Sequence, residues 1–179
     1  MSTHVVGLNH IDIIVSIETD GAVQDMELTK PGVALTGVIL DLFRVNSLLV
    51  MRGDRLVAGL GLTSARWLVL GAIAYAERPE PVAWLARDLG GNRQNVQRIV
   101  NDLQQEGLVT FEPNPHHRRA QLVVLTEKGR AAFDQAMRLW TPWANSLARG
   151  HSLRDIGTMA TVVKALRRKL EEDSEGNGE

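Results

Sequence analysis

Residues 82–103 read VAWLARDLGGNRQNVQRIVNDL, and this stretch decides the fold. Its apolar residues fall at helical spacing in two groups, Val82, Leu85, Ala86 and Leu89, then Val96, Ile99, Val100 and Leu103. Gly90 and Gly91 lie between the groups, and Gly90 can adopt a positive φ. Asn92 suits the N-cap of the second helix. Two short helices that meet across a glycine turn predict a helix-turn-helix.

The outward side of the second helix carries one kind of chemistry. We call it the polar face: Arg93, Gln94, Asn95, Gln97, Arg98 and Asn101, with no acidic residue before Asp102. A guanidinium can bridge guanine N7 and O6, and a carboxamide can bridge adenine N7 and N6. A merely solvated helix favours Glu–Lys pairs instead. The pattern therefore predicts a helix that reads base edges; the alternative is an ordinary helical hairpin with no particular chemistry on this face.

A basic hairpin follows. Strand-like runs at 108–112 and 120–125 flank the turn Asn114-Pro115-His116-His117, and the basic residues on or beside the turn are His116, His117, Arg118 and Arg119. Such a turn can lie on phosphates or enter a minor groove, and protonation of its histidines would make binding depend on pH. Trp84 lies off the apolar stripe of its helix. Two roles are consistent with this position: Trp84 contacts the DNA backbone, or it contacts the first helix.

Long apolar helices flank this region. One begins near Pro31, and another begins at a capping-box-like Ser152 and Asp155. Their apolar seams comprise Leu35, Ile39 and Leu42, then Ile156, Met159, Val163, Leu166 and Leu170. This is more apolar surface than one small domain covers, so self-association is favoured over packing within the chain. Pro142 is expected to kink or end the helix capped by Thr126.

Composition narrows the classes of function. The ends are acidic, and residues 31–170 hold 19 basic and 11 acidic side chains, a net charge of +8, which favours a polyanion partner. No cysteine is present, so thiol chemistry is excluded. The histidines do not converge, and phosphate-loop, nucleophile-elbow and dinucleotide motifs are missing. We therefore expect no enzyme, no cofactor and no metal, since adjacent His116 and His117 rarely chelate one ion.

The apolar runs argue against membrane insertion. The longest, Trp67–Ala76, is half of the roughly 20 residues that a span requires, so no membrane contact is expected. Asp12, Glu18 and Asp20 interrupt any signal peptide, which favours the cytoplasm. Residues 10–17 are predicted to form a short strand or extended arm, and residues 171–179 an acidic disordered tail.

Three stretches carry a family resemblance: LTSARWLVLGAIA at 62–74, VAWLARDLGGNRQNVQRIVNDLQQEGLV at 82–109, and FEPNPHHRRAQLVVLTEKGR at 111–130. They resemble the MarR family of winged helix-turn-helix transcriptional regulators, most strongly at Gly-Leu-Val 107–109 and Leu-Thr-Glu-Lys-Gly 125–129. The resemblance covers about residues 31–170. It implies a mainly α fold with a small β-hairpin wing (α+β), namely a winged helix-turn-helix with long N- and C-terminal dimerisation helices.

The resemblance also implies an organisation and partners. Residues 1–30 form an N-terminal arm, 31–52 and 127–170 dimerisation helices, and 62–126 the DNA-binding part. The expected partners are a second copy of the chain and an inverted-repeat duplex, contacted by Arg93, Gln94, Asn95, Gln97 and Arg98. Arg119 matches the last Arg of the family's wing pattern, whereas Asn114, His116 and His117 depart from it.

Family members commonly bind small lipophilic or aromatic effectors that release a repressor from DNA. The corresponding residues here are Phe43, Arg44, Asn46, Trp67, Trp140 and Trp143. Large aromatic side chains at helical spacing are otherwise core residues. The alternative function is a winged helix module for protein contacts, which predicts acidic or apolar residues on the face that Arg93 to Arg98 occupy.

Overall fold

The computed structural model describes residues 28–117 and 119–176, with side chains as far as residue 173. The predicted extended arm at 10–17, Arg118 and the end of the acidic tail lie outside the described residues. The elements are α1 (Lys30–Val57), a 3-10 turn (Ala58–Leu60), α2 (Ser64–Tyr75), β1 (Glu80–Pro81), α3 (Val82–Asp88), α4 (Arg93–Gln105), β2 (Val109–Glu112), β3 (Leu122–Leu125), α5 (Glu127–Ala148) and α6 (Leu153–Gly176). The chain divides into two compact units at Arg55 and Leu56.

The first unit is dominated by α1. Thr29 caps this helix, because its hydroxyl accepts a hydrogen bond from the Gly32 N–H at 3.2 Å, and Pro31 occupies the first turn, where no N–H is needed. Many of its large apolar side chains are exposed: Val33, Val38, Ile39, Leu42, Phe43, Val45, Leu48, Leu49, Val50 and Met51. The helix therefore carries apolar surface on more than one side.

This helix also qualifies the sequence-based expectation about membranes. Helical residues Lys30–Leu60, 31 residues, contain an 18-residue window with a mean hydropathy of 1.8, none of it buried, so the helix is long and apolar enough to cross a bilayer by length and composition. The expectation was based on unbroken apolar runs of sequence, and Asp41 and Arg44 interrupt the apolar sequence of this helix. The Asp41 and Arg44 side chains form an ion pair at 3.4 Å. The core helix of a soluble protein passes the same test.

The second unit is built on one apolar core. Both predicted stripes of the helix-turn-helix are in it, and Val69 and Leu70 of α2, Val123 of β3 and Phe133 of α5 complete it. The sheet has the order β1-β3-β2, with both pairs antiparallel. The hairpin of β2 and β3 was expected, but β1 was not. Pro81 is extended in β1, where it pairs with Leu122 and directly precedes α3.

The turn between α3 and α4 has the predicted geometry. Gly90 has φ 61°, which is the left-handed region that favours glycine. The N–H of Gly91 donates to the carbonyl of Ala86 at 2.8 Å, closing the end of α3. The Asn92 side chain accepts from the N–H groups of Gln94 and Asn95 at 2.8 and 3.3 Å, confirming it as the N-cap of α4.

Two contacts fix the far end of α4 and the start of α5. The carboxylate of Glu106 pairs with Arg66 of α2. The Thr126 hydroxyl donates to the carbonyl of Gly107 at 2.7 Å and accepts from the N–H of Gly129 at 3.0 Å. A Cβ added at Gly129 would overlap the carbonyl oxygen of Leu108, so glycine is required there for the close approach of two backbones.

The structure narrows two expectations about the C-terminal helices. Pro142 lies inside α5, which continues to Ala148, so of the expected kink or end of the helix the end is excluded. Residues 171–176 of the expected disordered tail are helical and belong to α6. Gly150, with φ 86°, follows the break. The Ser152 hydroxyl then accepts from the N–H of Asp155 at 3.1 Å and donates to its carboxylate at 2.6 Å, which confirms the predicted start of α6.

Candidate nucleic-acid interface

Helix α4 is held rigidly on one side and is open on the other. Val96, Ile99, Val100 and Leu103 are buried against α2 and α3. Five of the six residues of the polar face are exposed, and Gln97 is half-buried. Because the buried stripe fixes the rotation of the helix, the polar face points away from the core as the sequence predicted.

Hydrogen bonds order the polar face. Gln97 Nε2 donates to Asn101 Oδ1 at 2.9 Å, and Arg98 Nη2 donates to Asn95 Oδ1 at 3.0 Å. The Arg98 guanidinium also lies 3.7 Å from the Asp102 carboxylate. These contacts join neighbours one turn apart and leave the guanidinium largely exposed, so its other N–H groups remain able to donate to a base or a phosphate.

The wing turn presents its basic side chains to solvent. The Asn114 side chain accepts from the N–H of His116 at 2.9 Å, and the Asn114 carbonyl accepts from the N–H of His117 at 3.3 Å. His116, His117 and Arg119 are exposed; Arg118 lies outside the described residues. The turn predicted from Asn-Pro is confirmed, and it carries the basic residues at its tip.

A groove of about 840 Å³ separates the start of α4 from the wing. Its basic lining residues are Arg78, Arg93, His116, His117 and Arg119, and Trp84 forms part of its wall. The structure therefore brings the start of the polar face and the wing tip to one cationic cleft. Sequence reasoning missed Arg78, since its position depends on how the loop before β1 packs. The signal for Trp84 was its place off the apolar stripe.

Two carboxyl groups flank α3: Glu80 lies in β1 and Asp88 is the last residue of the helix. Burial raises the pKa of Glu80 above its ordinary value of 4.5, and the negative charge of Asp88 and a hydrogen bond to it raise the pKa further. Arg78 and Arg87 act in the opposite direction. The Arg87 guanidinium lies 3.6 Å from the carboxylate of Asp88. The acids are thus engaged with each other and with Arg87.

The six residues proposed as an effector pocket divide between the two units. Trp67, Trp140 and Trp143 are half-buried in the second unit and form a continuous aromatic stack, with edge-on ring centroids 5.3 and 5.1 Å apart. Phe43, Arg44 and Asn46 are exposed on α1 in the first unit. The structure brings the three tryptophans together. This agrees with both alternatives left open by the sequence, a role in the core and a role in a pocket.

The predicted dimer seams are largely uncovered within the single chain. Leu35 and Leu166 are half-buried, and the other six residues are exposed: Ile39, Leu42, Ile156, Met159, Val163 and Leu170. Met159 is 61% and Leu170 is 66% exposed. Within residues 28–117 and 119–176, no group of three potential metal-binding side chains converges.

Comparisons with known proteins place this geometry in a family. Residues 60–120 match the model of the MarR family. An uncharacterised protein of Mycobacterium tuberculosis is 42% identical over 93 residues, which are 52% of this chain and 64% of that protein. The transcriptional activatory protein BadR of Rhodopseudomonas palustris is 34% identical over 98 residues, which are 52% of this chain and 54% of BadR. The chain thus spans less than two thirds of these curated relatives.

A solved structure resembles most of the fold. The M. tuberculosis transcriptional regulator MosR, in complex with DNA, is 25% identical with a TM-score of 0.58, and the match covers 72% of this chain and 97% of MosR. The winged helix fold expected from the sequence is confirmed, and residues 60–120 match the model of the MarR family that the sequence resembles. The solved structures with this fold include proteins described as transcription regulators.

Proposed function

We propose that the protein is a transcriptional regulator that binds specific sequences of double-stranded DNA, because its winged helix region, residues 60–120, matches the MarR family. We further propose that it acts as a homodimer in the cytoplasm. The observation that carries the proposal is the polar face of α4. It is exposed, rigidly backed by a buried stripe and continuous with the basic wing through one groove. MosR, which has the same fold, is solved with DNA.

The contacts divide by chemistry. Gln94, Asn95 and Gln97 carry the carboxamides that discriminate base edges, and Arg93 and Arg98 add guanidinium contacts to guanine or phosphate. The wing residues His116, His117, Arg118 and Arg119 lie on the backbone or in the adjacent minor groove. Base contacts give specificity, whereas wing contacts give affinity that does not depend on sequence.

Dimerisation supports this mechanism. The exposed seams of α1 and α6 provide apolar surface that a second copy can cover, and covering it would stabilise a dimer by about 25 cal/mol per Å² of apolar area. Two copies of α4 about 34 Å apart would enter successive major grooves of an inverted repeat. The domain roles follow from this arrangement, with dimerisation at about 31–52 and 127–170 and DNA binding at 62–126.

Control by a small lipophilic or aromatic effector completes the proposal. The stack of Trp67, Trp140 and Trp143 supplies aromatic surface for such a molecule, with Phe43, Arg44 and Asn46 as the remaining candidates. A ligand that binds better to a different spacing of the two α4 helices would weaken DNA binding by the ratio of its two affinities. Repression released by the effector is the regulatory outcome we propose.

The decisive test is binding to random duplex DNA at several salt concentrations. We expect a steep fall of affinity with salt and a loss of binding in the Arg93→Ala, Arg98→Ala double variant. Arg119→Ala should weaken binding to every sequence alike, whereas Gln94→Ala should change the base preference. If the wild-type protein binds no duplex, this function is excluded and a winged module for protein contacts is favoured. Such a module would be expected to have acidic or apolar residues where α4 carries the polar face.

A further inference from the structure

The groove between α4 and the wing has a third wall to which no role has yet been given. Arg78, in the loop before β1, and Trp84, in α3, line the groove opposite residues already proposed to contact DNA, among them Arg93 and Arg119. Neither Arg78 nor Trp84 belongs to the recognition helix or to the wing. They are nevertheless part of the same continuous basic surface.

Trp84 is unusual for its position. Its neighbours Val82, Leu85 and Ala86 are buried, but the Trp84 side chain is 41% exposed. The guanidinium groups of Arg78 and Arg87 lie over its ring, 5.6 and 5.3 Å from the ring centroid. Cation–π contacts of this kind hold the indole in place and keep positive charge beside it. The result is a fixed apolar surface within a cationic cleft.

The charges around the cleft favour a polyanion. Arg78, Arg93 and Arg119 line it, together with two histidines, and no acidic residue is among its described lining residues. Glu80 and Asp88, at the two ends of the β1–α3 segment, interact with each other, and the Asp88 carboxylate lies 3.6 Å from the Arg87 guanidinium. Of the two arginines beside Trp84, Arg78 lines the groove and Arg87 does not.

We propose that this groove holds one strand of the DNA backbone, with Arg78 against a phosphate and the Trp84 ring packed on the deoxyribose of the same strand. The inference rests on the proposed function and deepens it. Phosphate and sugar contacts fix the register of a protein on its duplex. Trp84 is then a positioning residue that sets how the polar face of α4 meets the bases, and Arg87 supports its ring.

The phosphate contact is tested by salt dependence. Arg78→Ala should reduce the slope of log affinity against log salt concentration by about 0.9, the value expected when the protein neutralises one phosphate fewer. Arg138→Ala is the matched control, because Arg138 is exposed on α5 and does not line the groove. It should leave the slope unchanged. An unchanged slope in Arg78→Ala would overturn this part of the proposal.

The sugar contact is tested by aromatic substitution and by protection from oxidation. Trp84→Ala should weaken binding to all duplexes roughly ten-fold with an unchanged salt slope, and Trp84→Phe should retain most of the affinity, because a ring still packs there. Thermal melting checks that both variants fold. In the wild-type protein, bound DNA should protect Trp84 from oxidative labelling, with half-buried Trp67 as the internal reference.

The outcomes separate this inference from the proposed function. If the Arg93→Ala, Arg98→Ala variant loses DNA while Trp84→Ala binds like wild type and Trp84 stays unprotected, the backbone site is wrong and the DNA-binding function stands. If wild-type protein binds no duplex, both fail. Protection of Trp84 together with the slope change in Arg78→Ala supports the proposed strand position.

Discussion

At the scale of single residues, the wing histidines replace positions where the MarR pattern carries Arg or Asp. His116 and His117 are exposed at the turn, held by backbone hydrogen bonds to Asn114 rather than through their rings. Both rings can therefore lie against phosphates. We predict that the His116→Gln, His117→Gln variant binds every duplex more weakly than wild type by fluorescence anisotropy, with an unchanged base preference. Equal affinities for the two proteins would contradict a contact at the wing tip.

Glu80 gives a second prediction at this scale, on stability. The pKa of Glu80 is raised in the folded state, chiefly by burial, so the folded protein holds this proton more tightly than the unfolded chain does. Stability should therefore be favoured below the ordinary value of 4.5 and should fall as pH rises from there through the raised pKa. Glu80→Gln removes this loss.

Urea unfolding measured between about pH 4.5 and pH 7 checks the Glu80 prediction. The stability of Glu80→Gln relative to wild type should increase with pH over this range and then level off. A constant difference between the two proteins across the range would show that the burial of Glu80 does not penalise its charged form.

Single residues were predictable where their role is local. Asn92 as a cap and Gly90 as a left-handed turn follow from rules that span a few positions, and both are confirmed. Arg78 was missed because its place at the groove depends on the packing of β1 against β3, which joins residues about forty positions apart. The only sequence signal for Trp84 was its position off the apolar stripe.

At the scale of elements, the junction of the wing and α5 is the tightest backbone contact found at a described glycine. Gly129→Ala would force a Cβ onto the Leu108 carbonyl, and neither backbone can move without disturbing the Thr126 cap. We predict a loss of about 1–3 kcal/mol in the free energy of unfolding. Gly59→Ala, where nothing lies within 4 Å of the added Cβ, is the control. Equal stability of the two variants would contradict the steric argument.

The boundaries of helices and strands could be predicted from the sequence where a capping residue and the apolar periodicity indicated the same position. Helix α4 begins where predicted, directly after its N-cap Asn92, and its apolar stripe is buried as expected. Strand β1 has two residues, too few to show an alternating pattern, and exists only through pairing with β3. Pro142 stays within α5, so of the two outcomes expected there, a kink or an end of the helix, the structure excludes the end.

At the scale of the whole molecule, the exposed seam of α6 provides a test of dimerisation. Replacing Met159 and Val163 by Glu would place charges at the centre of the proposed interface. We predict monomers by light scattering and at least a roughly ten-fold loss of DNA affinity, since the two half-sites would no longer be bound together. Thr161→Glu, on the opposite side of the same helix, should remain dimeric. A dimeric double variant would exclude this seam.

The central claim is that two polar faces, held at a fixed separation, read an inverted repeat. In vitro selection of DNA fragments by the purified protein tests it most directly. The account predicts an enriched palindrome whose half-site centres lie about one helical turn apart, and loss of that enrichment in the Arg93→Ala, Arg98→Ala variant. Selection that yields no common sequence, or only a single unrepeated site, would contradict it.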